Sequence, residues 1–314
     1  MSQSLSYIYG PVMSRRLGYS LGVDLVPFKT CTYDCIYCQL GRTTDHRCRP
    51  QTYFSVDEIM SELQEAIRRS GRIDYISLAG SGEPTLNSQI GELVDRIKSE
   101  TDIPMTVLTN GSLLWDRDIR RALTPSDVVL PSLDAGTEAT FDRICRPCEG
   151  LTFELVVEGL VSFTGEFSGR VWLEVMLLEG INTSFSEMQR LSRLVQRIRP
   201  ELVQLNTVVR PPSEESARAV GSERMQEIAG LIDGRVEIVA ASSGESESPS
   251  ETIDDGLILL YLRRRPTTAD DIATGLNVHR NEISKRLQAL IDRGLITTVR
   301  RDERVLYKMR SKDA

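Results

Sequence analysis

Leu21-Gly-Val-Asp-Leu-Val-Pro-Phe-Lys-Thr-Cys31-Thr-Tyr-Asp-Cys35-Ile-Tyr-Cys38 is the stretch that decides the fold. Residues 21–26 are largely apolar and short enough for a buried β-strand, and Pro27 punctuates its end. Three cysteines then follow in one loop with the spacing Cys-x3-Cys-x2-Cys. Apolar runs of similar length recur at 73–79, 105–108, 127–130, 171–178, 202–209 and 236–239. Between them lie helical patterns at 57–69, 89–98, 116–123, 153–163, 187–198 and 223–232. In the first of these, Ile59, Leu63, Ala66 and Ile67 fall on one helix face. Strands separated by helices of this length predict βαβ units and a parallel sheet.

Six or so such units predict a partial (β/α)6 barrel of TIM type rather than a complete eight-fold one. The cysteine loop sits at the end of its strand, on the side where barrels carry their chemistry. Three thiolates spaced this way can wrap a cubane cluster and bind three of its irons, leaving the fourth iron without a protein ligand. Soft thiolates favour iron–sulfur clusters or zinc. The zinc alternative would close a tetrahedral site from Cys31, Cys35 and Cys38 with Cys48 or His46. Disulfides within the loop are disfavoured, because three cysteines this close pair badly.

One βα unit later the chain reads Leu78-Ala-Gly-Ser-Gly-Glu-Pro-Thr85. A Gly-rich turn at a strand's C-terminal end lets backbone approach a ligand, and Glu83 adds a carboxylate suited to an ammonium group. Alone this would be an ordinary βα turn. Paired with the cysteine loop it resembles the radical S-adenosylmethionine (SAM) superfamily. That family's Cys-x3-Cys-x-aromatic-Cys loop matches Cys31, Cys35, Tyr37 and Cys38. Its Gly-Gly-Glu-Pro motif matches Gly80-Ser81-Gly82-Glu83-Pro84, with Ser81 in or beside the place of a glycine. Tyr9-Gly-Pro-Val-Met-Ser-Arg-Arg-Leu-Gly18, Val26-Pro-Phe-Lys-Thr-Cys31, Gln39-Leu-Gly-Arg-Thr43 and Pro131-Ser-Leu-Asp-Ala135 narrow the likeness. They resemble an Fe–S oxidoreductase subgroup related to the wybutosine-synthesising radical SAM enzyme, over about residues 7–240. No cysteine precedes Cys31, so the extra N-terminal cluster ligands of that tRNA enzyme are absent.

The resemblance implies a [4Fe–4S] cluster on Cys31, Cys35 and Cys38, with SAM chelating the open iron. One electron from a donor such as flavodoxin or ferredoxin then gives a 5′-deoxyadenosyl radical, which abstracts hydrogen from a substrate. Tyr37 would pack near adenine, and Gly80, Ser81, Gly82 and Glu83 would meet the methionine ammonium. Asn110, Ser132 and Asp134 are placed for ribose or carboxylate contacts, with Glu174 and Asn206 as further candidates. A structural cap or turn is the competing role for each single polar residue. Arg15, Arg16, Arg143 and Arg210 could hold an anionic substrate or simply be solvated or ion-paired. No catalytic acid or base is singled out.

Cys48, Cys145 and Cys148 remain. Cys145-Arg-Pro-Cys148 follows the fourth strand, where relatives in the subgroup read Asn-Arg-Pro-His. These three are expected either to hold an auxiliary Fe–S cluster, with His46 as fourth ligand, or to be buried free thiols.

The 314 residues suggest two domains. They are 40% hydrophobic and 26% charged, enough for a sizeable core. Two histidines exclude a histidine-rich metal site, and six cysteines without a secretory signal suggest metal or redox chemistry before disulfides in a cytoplasmic protein. No apolar run approaches membrane-spanning length. Residues 241–250, Ala-Ser-Ser-Gly-Glu-Ser-Glu-Ser-Pro-Ser, read as a flexible linker between domains at 1–240 and 251–314. The second domain shows helices at 253–262, at 268–276 with a Thr268/Asp271 capping box, and from about 279 to Gly294. A hairpin at 295–299 and 305–309 completes a winged helix-turn-helix. It carries 13 Lys/Arg against 10 Asp/Glu, a net of +3, so the rest must carry −10 to give −7 overall. Arg280, Asn281, Ser284, Lys285 and Gln288 on its third helix, with Arg300, Arg301 and Arg304 in the wing, suit RNA or DNA. The alternatives are a peptide partner or self-association. The function expected is therefore radical SAM chemistry on RNA or a peptide. A small-molecule substrate and a cluster-based redox-sensing DNA-binding regulator are the competing readings.

Overall fold

A computed structural model describes residues 7–14, 16–209, 212–239, 255–276, 280–301 and 304–310. The chain opens with β1 (Ile8–Ser14), which pairs antiparallel with β2 (Gly18–Val23). Two short strands, β3 (Thr30–Cys31) and β4 (Asp45–His46), pair with each other within the cysteine-loop region. The alternation then runs α1 (Val56–Arg69), β5 (Tyr75–Leu78), α2 (Ile90–Glu100), β6 (Met105–Thr109), α3 (Arg117–Leu123) and β7 (Val128–Pro131). It continues with α4 (Glu138–Cys145), α5 (Phe153–Glu166), β8 (Arg170–Leu177), α6 (Phe185–Ile198), β9 (Leu202–Thr207), α7 (Ser222–Ala229) and β10 (Val236–Ile238).

The sheet order is β1-β2-β5-β6-β7-β8-β9-β10, parallel throughout from β2 to β10. From β5 to β10 sequential strands are neighbours, the order that short βα connections favour. Among the described residues β1 and β10 are the two edges, so the sheet is open, consistent with a partial barrel. Strands covered on both faces are continuously buried, as in β7, while β8 alternates Val171, Leu173, Val175 and Leu177 toward the core. Ile59, Met60 and Leu63 of α1, and Met188, Leu191, Val195 and Ile198 of α6, close over the sheet. Ser184 and Thr152 cap α6 and α5 through the amides of Glu187 and Leu155, both at 3.2 Å.

Three elements differ from expectation. Strand β1 contains Gly10 and Pro11, which conceal a strand in sequence, and it survives because an edge strand spares proline's missing N–H. Helix α4 buries Phe141, Ile144 and Cys145 between the fourth predicted strand and α5. Strand β2 also ends at Val23 rather than 26, because Asp24 turns its carboxylate to Ser81.

The C-terminal part has α8 (Asp255–Arg264), α9 (Ala269–Leu276), α10 (Arg280–Asp292) and an antiparallel hairpin, β11 (Ile296–Arg301) with β12 (Arg304–Met309). Ile258, Leu262, Ile272, Ile283, Leu287, Leu290 and Ile296 form a separate hydrophobic cluster there. The capping box is made: Asp271 N–H donates to Thr268 Oγ1 at 3.1 Å, and Thr268 Oγ1 donates to the Asp271 carboxylate at 3.0 Å. Gly294, at φ +69°, follows the last turn of α10. The linker expected at 241–250 lies outside the described residues, as do Ile253 and His279.

Candidate active site at the strand C-termini

The loop after β2 and the turn after β5 are built against each other by backbone. Lys29 N–H donates to Ser81 O at 2.7 Å, and Glu83 N–H donates to Thr30 O at 3.1 Å. A Cβ on Gly82 would overlap the Thr30 carbonyl, and one on Gly80 would collide with the Asp24 carboxylate. Both glycines are therefore required by close approach. Asp24 accepts from Ser81 N at 2.9 Å and from Ser81 Oγ at 2.5 Å, fixing the turn. The serine standing where the family motif has a glycine thus has a structural use.

Glu83 is 2% exposed and faces inward. Its Oε1 accepts from Thr85 N at 3.1 Å, Thr85 Oγ1 at 2.6 Å and Thr109 Oγ1 at 2.6 Å, and its Oε2 accepts from Asn110 N at 2.7 Å. Burial raises its pKa against the pull of those donors. In this structure the carboxylate accepts from protein donors and joins the turn to the end of β6. Asn110 is likewise engaged, donating to Thr32 Oγ1 at 2.7 Å and to Cys31 Sγ at 3.6 Å, and accepting from Ser112 N at 3.0 Å.

Cys31, Cys35 and Cys38 are half-buried free thiols on this loop. Cys38 N–H bonds Cys35 O at 3.1 Å, and the Lys29 ammonium donates to Cys38 Sγ at 3.3 Å. Burial pushes the Cys31 thiol far above its ordinary value. Burial also raises Cys38, with Lys29 pulling the other way. Among the described residues no three Cys, His, Asp or Glu side chains converge on one ion-sized point. Cys48 is bonded elsewhere, so the tetrahedral zinc alternative loses that fourth ligand, while His46 Nε2 lies 3.0 Å from Thr32 O. Three thiols spread along one loop fit a cluster that takes one thiolate at each of three corners.

Beyond β7, Asp134 is 3% exposed, accepting from Tyr37 OH at 2.6 Å and from Met176 N at 2.8 Å. Burial pushes its carboxyl up to about 7 against those two bonds. Through these two bonds it braces Tyr37 against β8. Ser132 stands half-buried beside Glu174 in a parallel bridge. Burial alone would raise the Glu174 carboxyl, but Arg16 at 2.6 Å and Asn206 at 2.9 Å bring it below its ordinary value. Arg16 and Glu174 thus satisfy each other. Arg143 is exposed, and Arg15 and Arg210 lie outside the described residues.

The second cysteine trio does not assemble. Cys48 and Cys148 form a disulfide with Cα atoms 6.0 Å apart, contrary to the expectation of metal chemistry or free thiols. Cys145 stays buried, its Sγ 4.0 Å from Asp134 Oδ2. Between Cys145 and Cys148, Arg146 takes a left-handed conformation, φ +47°, at the end of α4. The auxiliary cluster at Cys48, Cys145 and Cys148 is therefore corrected. Sequence reasoning missed Lys29, Asp24, Thr85 and Thr109 as site-building residues; only nearness to the motifs could have signalled them.

Comparison with known proteins agrees with this geometry. Residues 25–191 match the family model described as the radical SAM superfamily. A UPF0026 protein of Helicobacter pylori (strain J99) is 30% identical over 299 residues, covering 94% of this chain and 95% of that protein. The protein named GTPase Obg of Brachyspira hyodysenteriae is 41% identical over 292 residues, covering 92% of this chain but 43% of that longer protein. In fold, the chain is similar to a radical SAM methyltransferase from Sphaerobacter thermophilus, with TM-score 0.55 and 20% identity over 70% of this chain and 66% of that one. With the family model spanning more than half its length, and both motifs seated at the strand ends, this chain belongs to the radical SAM superfamily.

Proposed function

We propose that the chain cleaves SAM reductively and removes hydrogen from a macromolecular substrate. The observation that carries this reading is the backbone seam between Thr30 and Gly82–Glu83, which sets the three-thiol loop against the glycine turn. Cys31, Cys35 and Cys38 would hold a [4Fe–4S] cluster, which when bound supplies the electron for SAM cleavage. The turn at Gly80, Ser81 and Gly82 would present main-chain groups to the methionine end of SAM. Glu83 and Asn110 would position that turn without touching the ligand. Tyr37, braced by Asp134, would form a wall for the adenine, and Ser132 would be free to meet the ribose. A flavodoxin or ferredoxin in the cytoplasm would be the electron donor.

We read residues 255–310 as a winged helix, from three helices and a two-stranded hairpin around their own core. Its net positive charge beside an acidic remainder favours RNA as the recruited partner. The side chains of Arg280, Asn281, Ser284, Lys285, Arg300, Arg301 and Arg304 lie outside the described residues, and Gln288 donates to Asp292 at 2.9 Å.

The test is 5′-deoxyadenosine release from SAM by the anaerobically reconstituted, reduced full chain. Absence of that product with a full complement of iron overturns the proposal. Recruitment is tested separately by binding of the full chain to bulk tRNA across a salt series. Arg300→Glu/Arg301→Glu should weaken binding and flatten the salt slope; salt-independent binding refutes the RNA arm.

A further inference from the structure

We propose that Lys29 is a positioning residue for the cluster: its ammonium, bonded to the Cys38 sulfur, raises the reduction potential at which the cluster accepts its electron. The inference rests on the reading of Cys31, Cys35 and Cys38 as cluster ligands and adds a role that neither motif contains.

Four observations carry it. Lys29 is 3% exposed, an unusual place for a lysine unless its charge has a partner. Among the described residues its side chain's hydrogen-bond acceptor is Cys38 Sγ, at 3.3 Å. The backbone is held in the left-handed region at φ +65°, a conformation unfavourable for any residue with a Cβ. That conformation is fixed from both sides, by Lys29 N–H to Ser81 O at 2.7 Å and by Lys29 O accepting from Thr44 N at 3.2 Å and Asp45 N at 3.1 Å. The chain therefore accepts a strained residue and a buried ammonium at the same point, two residues before the first ligand.

The effect on the cluster follows from charge. Among the described residues the donors to these sulfurs are Tyr33 N and Asn110 Nδ2 at Cys31 and Lys29 at Cys38. Of these only Lys29 is a cation. Three thiolates on a [4Fe–4S]2+ core sum to one negative charge, and reduction by one electron to [4Fe–4S]+ makes it two, with no proton or bond exchanged. A fixed positive charge beside one thiolate stabilises the reduced form more than the oxidised form, the more so where water is excluded. Lys29 would thus bring a very low-potential cluster within reach of a one-electron donor of the flavodoxin or ferredoxin class.

The experiment compares reconstituted full-length protein with Lys29→Met and Lys29→Arg. Iron and sulfide are counted first: a wild-type chain that takes up none sinks the reading of the ligands, whatever Lys29 does. With clusters present, EPR-monitored dithionite titration without SAM should place the Lys29→Met midpoint below wild type and Lys29→Arg near it. Equal midpoints in Lys29→Met and wild type, at equal iron content, overturn the proposal. A second measurement needs no destabilising variant. Wild-type protein labelled with 15N-lysine and reduced should show a lysine nitrogen coupled to the cluster spin in pulsed EPR. Of the chain's five lysines, Lys98 is tied to Asp127 at 2.8 Å on α2. Absence of any lysine coupling, or its persistence in Lys29→Arg, overturns the proposal.

Discussion

Replacing Glu83 by glutamine separates a structural carboxylate from a ligand-binding one. The side chain accepts from four protein donors, three on Oε1 and one on Oε2. In Glu83→Gln the retained oxygen can serve the three donors of Thr85 and Thr109. The new NH2 then faces Asn110 N–H, leaving a buried donor unmet at about 1–3 kcal/mol. Loss of charge assistance in the other bonds adds to the cost, because charged acceptors make bonds roughly twice as strong. Against this, a neutral side chain avoids the desolvation penalty that raises the Glu83 pKa. The net is a destabilisation of about 2 kcal/mol. Glu83→Ala removes every acceptor and opens a cavity, for about 4–6 kcal/mol, a large part of a typical domain's stability. Urea unfolding of both variants, with SAM affinity measured on the reconstituted proteins, gives the check. SAM affinity should fall no further than the loss of folded protein explains. A Glu83→Gln variant of wild-type stability that loses SAM binding refutes the reasoning and restores the direct ammonium contact.

Gly82→Ala should fold its helices but lose most of its iron, since a Cβ there meets the Thr30 carbonyl; wild-type iron content would show that the seam yields. Asp134, raised to about 7 in the fold, stabilises the chain fully below its unfolded value of about 3.9 and progressively less as pH rises through about 7. Cluster-free wild type should therefore lose about 2–3 kcal/mol between pH 5 and 8, and Asp134→Asn should remove that slope; unchanged slopes in urea titrations would refute the assignment. Cys148→Ser should cost about 2–4 kcal/mol under oxidising conditions, since the disulfide spans a sequence separation of 100. Dithiothreitol should erase that difference, and iron content should not change; a drop in iron would revive the auxiliary cluster.

Sequence displayed what is local and periodic. The strands from β5 to β10 and their helices announce themselves by apolar runs of strand length and one-faced helical spacing, and the structure moves their ends by only a few residues. The three-cysteine loop is equally legible, because eight consecutive residues hold all three thiols. Partnerships made across the fold were not. Glu83 reads as an open carboxylate until Thr109 and Asn110, brought in by β6, are seen to fill it. Asp134 shows in sequence neither Tyr37 nor Met176, which reach it from two other elements. Cys48 and Cys148 pair over a hundred residues, a separation at which spacing carries no information. Lys29 has no pattern at all, since its meaning lies in a left-handed backbone and a buried ammonium.

The anchoring of the cysteine loop bears on how a cluster would enter. On its inner side the loop is tied to the glycine turn through Lys29, Thr30 and Glu83. On its outer side Asp34 N–H bonds Cys145 O at 2.9 Å, Ile36 N–H bonds Ile144 O at 3.0 Å, and Cys148 N–H bonds Thr32 O at 2.8 Å. From a third direction Ser213 Oγ donates to Cys35 O at 2.9 Å, and Glu214, paired with Arg42 and Arg146, donates its N–H to Ile36 O at 3.0 Å. The disulfide then joins the segment beyond β4 to the end of the α4 connection. A loop held by four segments of the chain has its shape without metal, unlike a small zinc domain whose folding energy comes from its ion. Its thiols are nevertheless costly to ionise alone, because burial raises Cys31 and Cys38. Iron would therefore displace thiol protons at a preformed site. The binding free energy would go into making thiolates rather than into ordering the chain, and the loop would have little to reorganise when an electron arrives.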